Sequence, residues 1–438
     1  MPAILDLSSL PNFSGHEHWG SIMSIGMAPE GFRADVEQGA LPTRTTTLWD
    51  ILIDPYFGGF LAQAGVDVYQ GAKDAGQDDF YIWASGEPEA AADALRPAVA
   101  DQRMTGAYQC IRRGIHRLHG VDIDGLEIDR VMEANAAIGE AYGDLFGWYK
   151  TAMDRAEIAG MVRPVHPEYF IRVDDEQAAQ AEMAFTHTVL RIDPLLGFWR
   201  PESPQRDTWA VVTGIEPVDA DSWRAFLEAL FDLAAESGCL GIKQLQAYTR
   251  PLEFTPREDT EVKWLGAQEP EQARIFEDWV VHECCRLANE RGWPHQIHVG
   301  THNLAESGPL PLEHLARRYP NMKLVLLHCW PFIEEAGWLA KHLPNVYLDT
   351  CWQPVLNPQF LRRTLREWLN YVPSHKICCG HDATSPEMAV GSALFTREIL
   401  TQTLAECSGG MGLPVSALER TALALLHGNA IRIYGTKG

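Results

Sequence analysis

Residues 294–350, PHQIHVGTHNLAESGPLPLEHLARRYPNMKLVLLHCWPFIEEAGWLAKHLPNVYLDT, decide the fold of this chain. Three short apolar runs, PHQIHVG, KLVLLHC and NVYLDT, alternate with two stretches whose apolar residues recur at helical spacing. The runs are apolar on both faces, and strands of this kind belong to a parallel sheet that is covered by helices. The stretch therefore predicts successive β/α units.

The same alternation extends in both directions from this stretch. It starts with THTVLRI near residue 187 and continues to closing helices that end at Tyr434. Leu5–Phe13 or the following HEH supplies a first strand, and a weaker candidate near Tyr169–Val173 supplies a second, which brings the number to eight. We therefore predict a distorted (β/α)8 TIM barrel. A doubly wound open sheet is the competing architecture, but the sequence holds no GxGxxG or GxxxxGK[ST] turn for a nucleotide.

The segment between the first two predicted strands is too long for one crossover helix. LWDILIDPYFGGFLAQAG and LEIDRVMEANAAIGEAYGDLFGWYKTAMDRAEIAG both carry apolar residues three and four apart. We predict a helical insertion over residues 20–165 that covers the barrel mouth, with the barrel formed by residues 1–19 and 166–438. A separate N-terminal helical domain is the alternative, and it fails if the HEH segment belongs to the barrel.

The composition excludes several classes of partner. The chain has 36 Lys and Arg against 59 Asp and Glu, so its formal net charge of −23 repels nucleic-acid phosphates and anionic lipids. No apolar run reaches the roughly 20 residues that span a bilayer, and the N-terminus lacks the features of a signal peptide. Nine cysteines without a CxxC pair are typical of buried free thiols in a reducing compartment. We expect a cytoplasmic protein without nucleic-acid or membrane partners; a homo-oligomer is left open, because barrels of this size commonly pair.

Polar residues stand at the ends of four predicted strands. HEH places His16 and His18 at the end of the first, His298 closes PHQIH, His328 closes KLVLLH, and Asp382 follows KICCGH. In a parallel barrel the carboxyl ends of the strands face the active site. Residues i and i+2 of a strand point the same way, so the two imidazoles of HEH aim together. Imidazole nitrogen and carboxylate oxygen suit divalent zinc or manganese, and a catalytic site keeps one position open for water or substrate.

Each of these residues also has a structural alternative. A single histidine on an apolar strand is more often a hydrogen-bonded core group than a metal ligand. Four strand-end positions in the order that a barrel would present them nevertheless favour a metal centre over four unrelated core residues. The sequence therefore predicts a divalent-metal enzyme site at the carboxyl ends of the strands.

These motifs resemble those of the amidohydrolase superfamily, in the amidohydrolase-related (type 2) branch that includes amino-carboxymuconate-semialdehyde decarboxylase. The resemblance rests on HEH, on HQIHVG with the segment from LPLEHL to NVYLDT, and on CCGHDAT. It covers the first strand and most of the C-terminal half. LGIKQLQAYTR is also similar to a segment of the amidohydrolase domains that are fused to glutamine synthetase-like proteins.

The resemblance implies a role for each strand-end residue. A metal ion, zinc first and manganese as the alternative, would be held by His16, His18, His298 and Asp382, and Asp382 would also be the general base. His328 would bind a second ion or, with one ion, polarise the substrate. The family pattern DxHxH has an aspartate where this chain has a serine, which changes the surroundings of the ligands but not the ligands themselves.

Lys243 decides between one metal ion and two. In binuclear members of the superfamily a lysine of the fourth strand is carboxylated and bridges both ions, and Lys243 lies in the predicted fourth strand. Two ions would then activate one bridging hydroxide. The alternative is a lysine that binds a substrate carboxylate or pairs with an acidic neighbour.

Five residues near the strand ends are candidates for substrate binding. Arg191 ends the third strand, Lys243, Tyr248 and Arg250 lie in or after the fourth, and His302 lies in the loop after the fifth. Inward-facing cations suit an anionic substrate, but each of them can equally form a structural ion pair, and a loop histidine is often merely exposed.

The leading prediction is a metal-dependent hydrolase that attacks a small carbonyl substrate, such as an amide or a lactone, with a metal-activated water. The first alternative keeps the site and changes the reaction to a decarboxylation or to a uronate-isomerase-like proton transfer on a small carboxylated substrate. The second alternative is an inactive barrel that acts as a binding scaffold. Metal content separates the scaffold from the enzymes.

Overall fold

The computed structural model describes residues 5–19, 46–171 and 185–436. Within these ranges eight parallel strands pair in chain order, each with the next. The strands are β1 Asn12–Ser14, β2 Ile158–Val165, β3 Thr186–Arg191, β4 Cys239–Gln244, β5 Pro294–Gly300, β6 Lys323–Trp330, β7 Val346–Asp349 and β8 Ile377–Cys378.

Two backbone hydrogen bonds join the ends of this series. The N–H of Asp382 donates to the carbonyl of His16 at 2.9 Å, and the N–H of His18 donates to the carbonyl of Ala383 at 2.9 Å. The segments that follow β1 and β8 therefore lie side by side. The fold is a distorted (β/α)8 barrel with a helical insertion after its first strand, as the sequence predicts.

The second strand is not where the sequence analysis placed it. Tyr169 lies in a 3-10 helix, Pro167–Ile171, and Val173 lies outside the described residues. The observed β2 lies within the range assigned to the insertion, so the barrel resumes at Ile158 rather than at residue 166. Gly160 and Pro164 weaken the β pattern of this stretch. Pro164 is tolerated because the pairing of β2 with β1 ends at Met161, so no β1 residue pairs with it.

Helices cover the outside of the strands. Their ends carry the expected signals: the helix after β4 begins with Pro270 and ends before Gly292, whose φ is +64°, and the helix after β8 is capped by Ser385, whose side chain accepts the N–H of Met388. The α-helices after β3 are Pro204–Thr213, Ala220–Glu236, Pro270–Arg291, Glu313–Arg318, Ile333–His342, Gln353–Leu356, Pro358–Tyr371, Pro386–Cys407, Val415–Leu423 and Asn429–Tyr434.

The described part of the insertion is helical. Its α-helices are Leu48–Leu52, Phe57–Gln63, Gln70–Asp74, Phe80–Gly86, Pro88–Gln102, Gly106–His119, Ile128–Ala141 and Leu145–Arg155. Their buried apolar residues form one cluster with residues of the barrel, among them Trp352 and Met388. The insertion therefore shares a core with one side of the barrel.

The inside of the strand ring is filled by a smaller apolar cluster. Val325 and Leu327 of β6 belong to it, whereas Leu324 and Leu326 belong to the outer core between strands and helices, as the period of two requires. Ile433 and Tyr434 of the last helix complete the inner cluster. The C-terminal helix thus contributes side chains to the interior of the barrel.

All nine cysteines are free, and eight of them are buried. None of the helices in the described ranges is long and apolar enough to cross a membrane.

Candidate metal centre

Several of the predicted strand-end residues lie close together. His16 and His18 follow β1, Lys243 lies near the end of β4, and Asp382 follows β8. The Nε2 atoms of His16 and His18 lie 3.7 and 3.3 Å from Oδ1 of Asp382. These three side chains form one group of potential metal ligands within the described residues.

Glu17 points away from this group. Its carboxylate accepts from Nδ1 of His381 at 2.7 Å and from the N–H of Ala383 at 2.8 Å. Ser14, which stands where the family pattern has an aspartate, accepts the N–H of His381 at 3.1 Å. The alternation of the HEH segment thus directs the imidazoles to the ion site and the carboxylate to the loop that carries Asp382.

Lys243 is buried against His16. Its Nζ lies 3.1 Å from Nε2 of His16. Burial lowers the pKa of Lys243 to about 8, while the charge of Asp382 opposes that shift. A cationic group therefore already lies beside the nitrogen that would face a metal ion.

Asp382 accepts a hydrogen bond from the insertion. The hydroxyl of Tyr56 donates to Oδ1 of Asp382 at 2.9 Å. Burial, only partly offset by Lys243 and Tyr56, raises the pKa of Asp382 to about 7. Sequence reasoning missed Tyr56, because nothing in its local pattern separates it from the other aromatic residues of the insertion.

The turn that contains Tyr56 is hydrogen-bonded to the loop that contains Asp382. Oδ1 of Asp54 accepts the N–H of Tyr56 at 3.0 Å and that of Phe57 at 2.6 Å. The hydroxyl of Thr384 donates to the other oxygen of Asp54. Asp54 therefore ties the insertion to the strand end that carries the candidate base.

His328 and Cys351 form a second group of potential ligands with Asp382. Nδ1 of His328 lies 2.9 Å from the carbonyl of Cys351 and 3.4 Å from Oδ2 of Asp382. A carbonyl only accepts, so Nδ1 carries the hydrogen. Burial lowers the pKa of His328 to about 3, so the ring is neutral and its Nε2 is an acceptor. This tautomer suits a metal ligand better than a donor that polarises a substrate. Cys351 is not among the metal ligands that the sequence predicts.

His298 lies beside His328 but outside both ligand groups. The two ring centroids are 4.3 Å apart. Nε2 of His298 is 2.5 Å from the hydroxyl of Thr301. Its ligand role remains a prediction that requires Thr301 to release this nitrogen.

The donor set fits a divalent ion. Burial is the largest cause that lowers the pKa of His16 and of His18 well below 6.5, followed by the charge of Lys243. Neutral imidazoles are the ligand form, and here they converge with a carboxylate oxygen in a site largely closed to solvent. His16, His18 and Asp382 therefore match the chemistry of a divalent-metal site.

Three residues that the sequence predicts to bind substrate, Arg191, Tyr248 and His302, line a cavity or contact His298 through Tyr248. Arg191 and Tyr248 line a cavity of about 630 Å³. The ring of Tyr248 lies 4.6 Å from that of His298 and stacks on His302 at 4.2 Å. A guanidinium nitrogen of Arg191 lies 3.1 Å from Nε2 of His166, whose pKa is lowered by burial to about 4, so the neutral imidazole accepts.

Arg250 does not join the site, contrary to the sequence analysis. Its guanidinium donates to Glu277 at 2.8 Å and to Asp278 at 2.5 Å. It also donates to the carbonyl of Glu253 at 2.9 Å. Arg250 therefore forms a structural ion pair, which was the alternative to substrate binding, because two carboxylates of the following helix reach its guanidinium.

Comparison with known proteins places the chain in a family. The family model described as Amidohydrolase matches residues 207–436, more than half of the chain. The chain belongs to the amidohydrolase family. The matched part contains Lys243, His298, His328 and Asp382, whereas the HEH segment precedes it.

A curated relative is Protein fluG of Emericella nidulans. The two are 30% identical over 235 residues, which cover 48% of this chain and 27% of the relative. The match thus spans about a quarter of the length of that protein.

Solved structures share the fold over nearly the whole chain. Glucuronate isomerase from Caulobacter crescentus aligns with a TM-score of 0.74 at 17% identity, over 98% of this chain and 93% of its own. A uronate isomerase from Bacillus halodurans aligns with a TM-score of 0.68 at 16% identity, over 98% of this chain and 94% of its own. At such identities the likeness concerns the fold.

Proposed function

We propose that this protein is a metal-dependent hydrolase of a small carbonyl substrate, such as an amide or a lactone. The observation that carries the proposal is the convergence of His16, His18 and Asp382 at the carboxyl ends of the strands. These residues would hold a divalent ion, zinc first and manganese as the alternative. His298 and His328 would complete its surroundings.

A bound ion would supply a Lewis acid that polarises the carbonyl and lowers the pKa of a coordinated water. Oδ1 of Asp382 faces the two imidazoles and the Tyr56 hydroxyl, whereas Oδ2 has only Nδ1 of His328 beside it, at 3.4 Å; Oδ2 would take a proton from the attacking water and pass it to the leaving group. A carboxyl group with a pKa near 7 can both accept and donate that proton at neutral pH. Tyr56 would keep the carboxylate in place during the transfer.

The cavity beside the metal centre would bind the rest of the substrate. Arg191 and Tyr248 line it together with polar residues such as Gln246 and Thr249. Arg191 pairs with Asp193 through Nε at 3.3 Å and contacts neutral His166 through a second nitrogen, and it would bind an anionic group of the substrate with its remaining donors. His302, which stacks on Tyr248, would narrow the entrance.

An isomerase of carboxylated sugars is the second candidate. It is favoured by Arg191 and Arg200, which line the cavity and would bind a carboxylate, and by the contact of Tyr56 with Asp382, which offers two groups for a proton transfer between carbons. Uronate isomerases with this fold also align over most of this chain. In this candidate Asp382 would move a proton without net addition of water.

The test combines metal analysis with isotope tracing. The protein is purified without chelator, and its ions are counted by mass spectrometry of the elements. We expect one zinc or manganese ion per chain; two ions would indicate a carboxylated Lys243, which intact mass analysis detects. The absence of bound metal would support an inactive barrel that acts as a binding scaffold, and it would contradict a metal-dependent hydrolase.

Substrate panels then separate the reactions. Amides, lactones and uronates are incubated in ¹⁸O-labelled water and, separately, in deuterated water. Label from ¹⁸O-water in the product supports the hydrolase. Deuterium at the carbon next to the carbonyl, without net hydrolysis, supports the isomerase. Release of carbon dioxide, with no ¹⁸O in the remaining organic product, supports a decarboxylase. The Asp382→Asn variant is the control that should abolish each signal.

A further inference from the structure

Gln296 of β5 connects the metal centre with the C-terminal helix. Its side chain is fully buried. Nε2 of Gln296 lies 2.7 Å from the carbonyl of Gly15 and 2.6 Å from the hydroxyl of Tyr434. Oε1 of Gln296 lies 2.8 Å from Nδ1 of His16. One amide therefore contacts a candidate metal ligand, the backbone before it and the last helix.

The chemistry of these contacts determines which atom carries each hydrogen. The carbonyl of Gly15 can only accept, so the amide end that faces it is the NH2 group. The opposite end of the Gln296 amide is then the oxygen, and His16 must donate to it from Nδ1. Lys243, which only donates, lies 3.1 Å from Nε2 of His16 and independently requires that nitrogen to be the acceptor.

The position of Gln296 depends on two neighbours. Gly15 lacks a side chain, and a Cβ there would come within 2.5 Å of Oδ2 of Asp349, so the close packing around this carbonyl requires glycine. Tyr434 belongs to the inner apolar cluster of the barrel, and its hydroxyl accepts from Gln296. The last helix of the chain therefore supports the amide from the side opposite His16.

We propose that Gln296 is a positioning residue that keeps His16 in the Nδ1–H tautomer and its Nε2 lone pair directed at the ion site, and that Tyr434 holds Gln296 in this orientation. The use of this tautomer rests on the proposed function, because a metal ion binds the unprotonated nitrogen. The tautomer itself can be measured without any ion.

The test begins with the tautomer of His16 in metal-free protein labelled with ¹⁵N at histidine. Two-bond ¹H–¹⁵N spectra separate the two neutral tautomers, and the His16 signals are identified by their absence in His16→Gln. We expect Nδ1–H in the wild type. In Gln296→Met, whose thioether is a weak acceptor, we expect the zinc Kd to rise about 10–100-fold. Because Lys243 still donates to Nε2 of His16 in this variant, we expect the Nε2–H form to appear in the double variant Gln296→Met/Lys243→Met, compared with Lys243→Met alone.

Three further variants separate positioning from packing. Gln296→Glu keeps an acceptor for Nδ1 and should retain the Nδ1–H tautomer, although it no longer donates to the carbonyl of Gly15. Tyr434→Phe should raise the zinc Kd in the direction of Gln296→Met but by less, because Gly15 still accepts from the amide. Gln359→Met, at an exposed helical position, should leave the tautomer and the zinc Kd unchanged.

The outcomes are distinct. A folded Gln296→Met protein with the wild-type zinc Kd overturns the inference, and so does a Gln296→Met/Lys243→Met protein that keeps the Nδ1–H tautomer as fully as Lys243→Met. A Gln296→Glu protein that loses the Nδ1–H tautomer also overturns it. If Gln296→Met does not fold, the tautomer in Gln296→Glu and the zinc Kd of Tyr434→Phe decide. A wild-type protein that binds no zinc or manganese contradicts the proposed function, while the tautomer measurement still decides this inference.

Discussion

His18 differs from its two partners in the metal centre by its contact with solvent. Its side chain is 21% exposed, whereas those of His16 and Asp382 are 0% and 3% exposed. The accessible side of the centre is therefore the side of His18. Substrate and water would approach there, while the buried members are held by Gln296, Lys243 and the backbone.

Removal of His18 should separate metal binding from folding. In His18→Ala we expect metal content to fall from about one ion per chain to a small fraction, because the loss of a ligand exceeds the roughly 10–100-fold effect of outer-shell partners. Elemental analysis and the thermal midpoint of the metal-free proteins measure the two effects. His302→Ala is the matched control, since its ring stacks at the mouth but belongs to neither ligand group, and should keep its metal. Full metal content in His18→Ala would contradict the site.

At the scale of elements, the insertion contributes side chains that contact the site. The turn from Asp54 to Phe57 reaches the loop after β8 through hydrogen bonds to Asp382 and Thr384. Further along, the helices Gly106–His119 and Pro386–Cys407 pack at very short range. A Cβ on Gly114 would lie 1.7 Å from the carbonyl oxygen of Glu387, and one on Gly391 would lie 1.8 Å from that of Cys110. Backbone contact of this kind tolerates only glycine.

The Tyr56→Phe variant tests the contribution of the insertion to catalysis. Loss of the hydroxyl leaves Asp382 without one of its hydrogen-bond donors, so we expect kcat to fall about 10–100-fold, toward the lower range of acid–base effects. KM and metal content should change little. Steady-state kinetics on a substrate that the panel identifies and elemental analysis provide the measurements. Tyr69→Phe, at an exposed tyrosine of the same insertion, should behave as the wild type; equal kcat values for both variants would exclude a role of Tyr56.

The Gly114→Ala variant tests the contact between insertion and barrel. The added methyl group has no space against the backbone of Glu387, so the helices must separate, at a cost of about 1–3 kcal/mol in the free energy of unfolding. Urea denaturation measures this change. Gly59→Ala is the control, because a Cβ at this helical glycine would meet nothing within 4 Å. An unchanged urea midpoint in Gly114→Ala would mean that the two helices do not pack in this way.

For the whole molecule, buried neutral histidines make stability depend on pH. His295 is fully buried in β5, its Nδ1 lies 3.5 Å from the thiol of Cys285, and its Nε2 has no hydrogen-bond partner among the described residues. Burial lowers the pKa of His295 to about 3, from 6.5 in an unfolded chain. The unfolded chain therefore binds a proton that the folded chain excludes.

This difference predicts acid destabilisation with a defined sign. The free energy of unfolding has its full value, as far as His295 is concerned, above pH 6.5. It falls by about 1.4 kcal/mol per pH unit as the pH drops from 6.5 toward 3. His295→Met should reduce the slope of unfolding free energy against pH, in metal-free protein, by about one proton between pH 6 and 4. His342→Gln, at an exposed helical position, is the control and should not change it. A His295→Met slope equal to that of the wild type would show that His295 is protonated in the folded state.

The sequence predicts those features that a local apolar pattern decides, and it misses those that depend on contacts between residues far apart in the chain. Strands β3 to β8 alternate with helices as predicted, because burial on both faces imposes a local apolar pattern. Strand β2 was misplaced, since glycine and proline interrupt that pattern and pairing with β1 and β3 compensates for them. Tyr56, Cys351 and Gln296 could not be found from the sequence, because their importance arises from contacts with residues far away in the chain; Tyr56 and Asp382 are 326 positions apart.

The amino-acid sequence by itself determined the barrel and the edge at which His16, His18, His328 and Asp382 meet, because the carboxyl ends of parallel strands come together whatever the loops do. Only the tertiary structure decided which nitrogen of His16 and of His328 carries the hydrogen, that Arg250 pairs with Glu277 and Asp278, and that Tyr56 contacts Asp382. These features depend on which donor and acceptor come within 3 Å of each other, and long-range packing sets those distances.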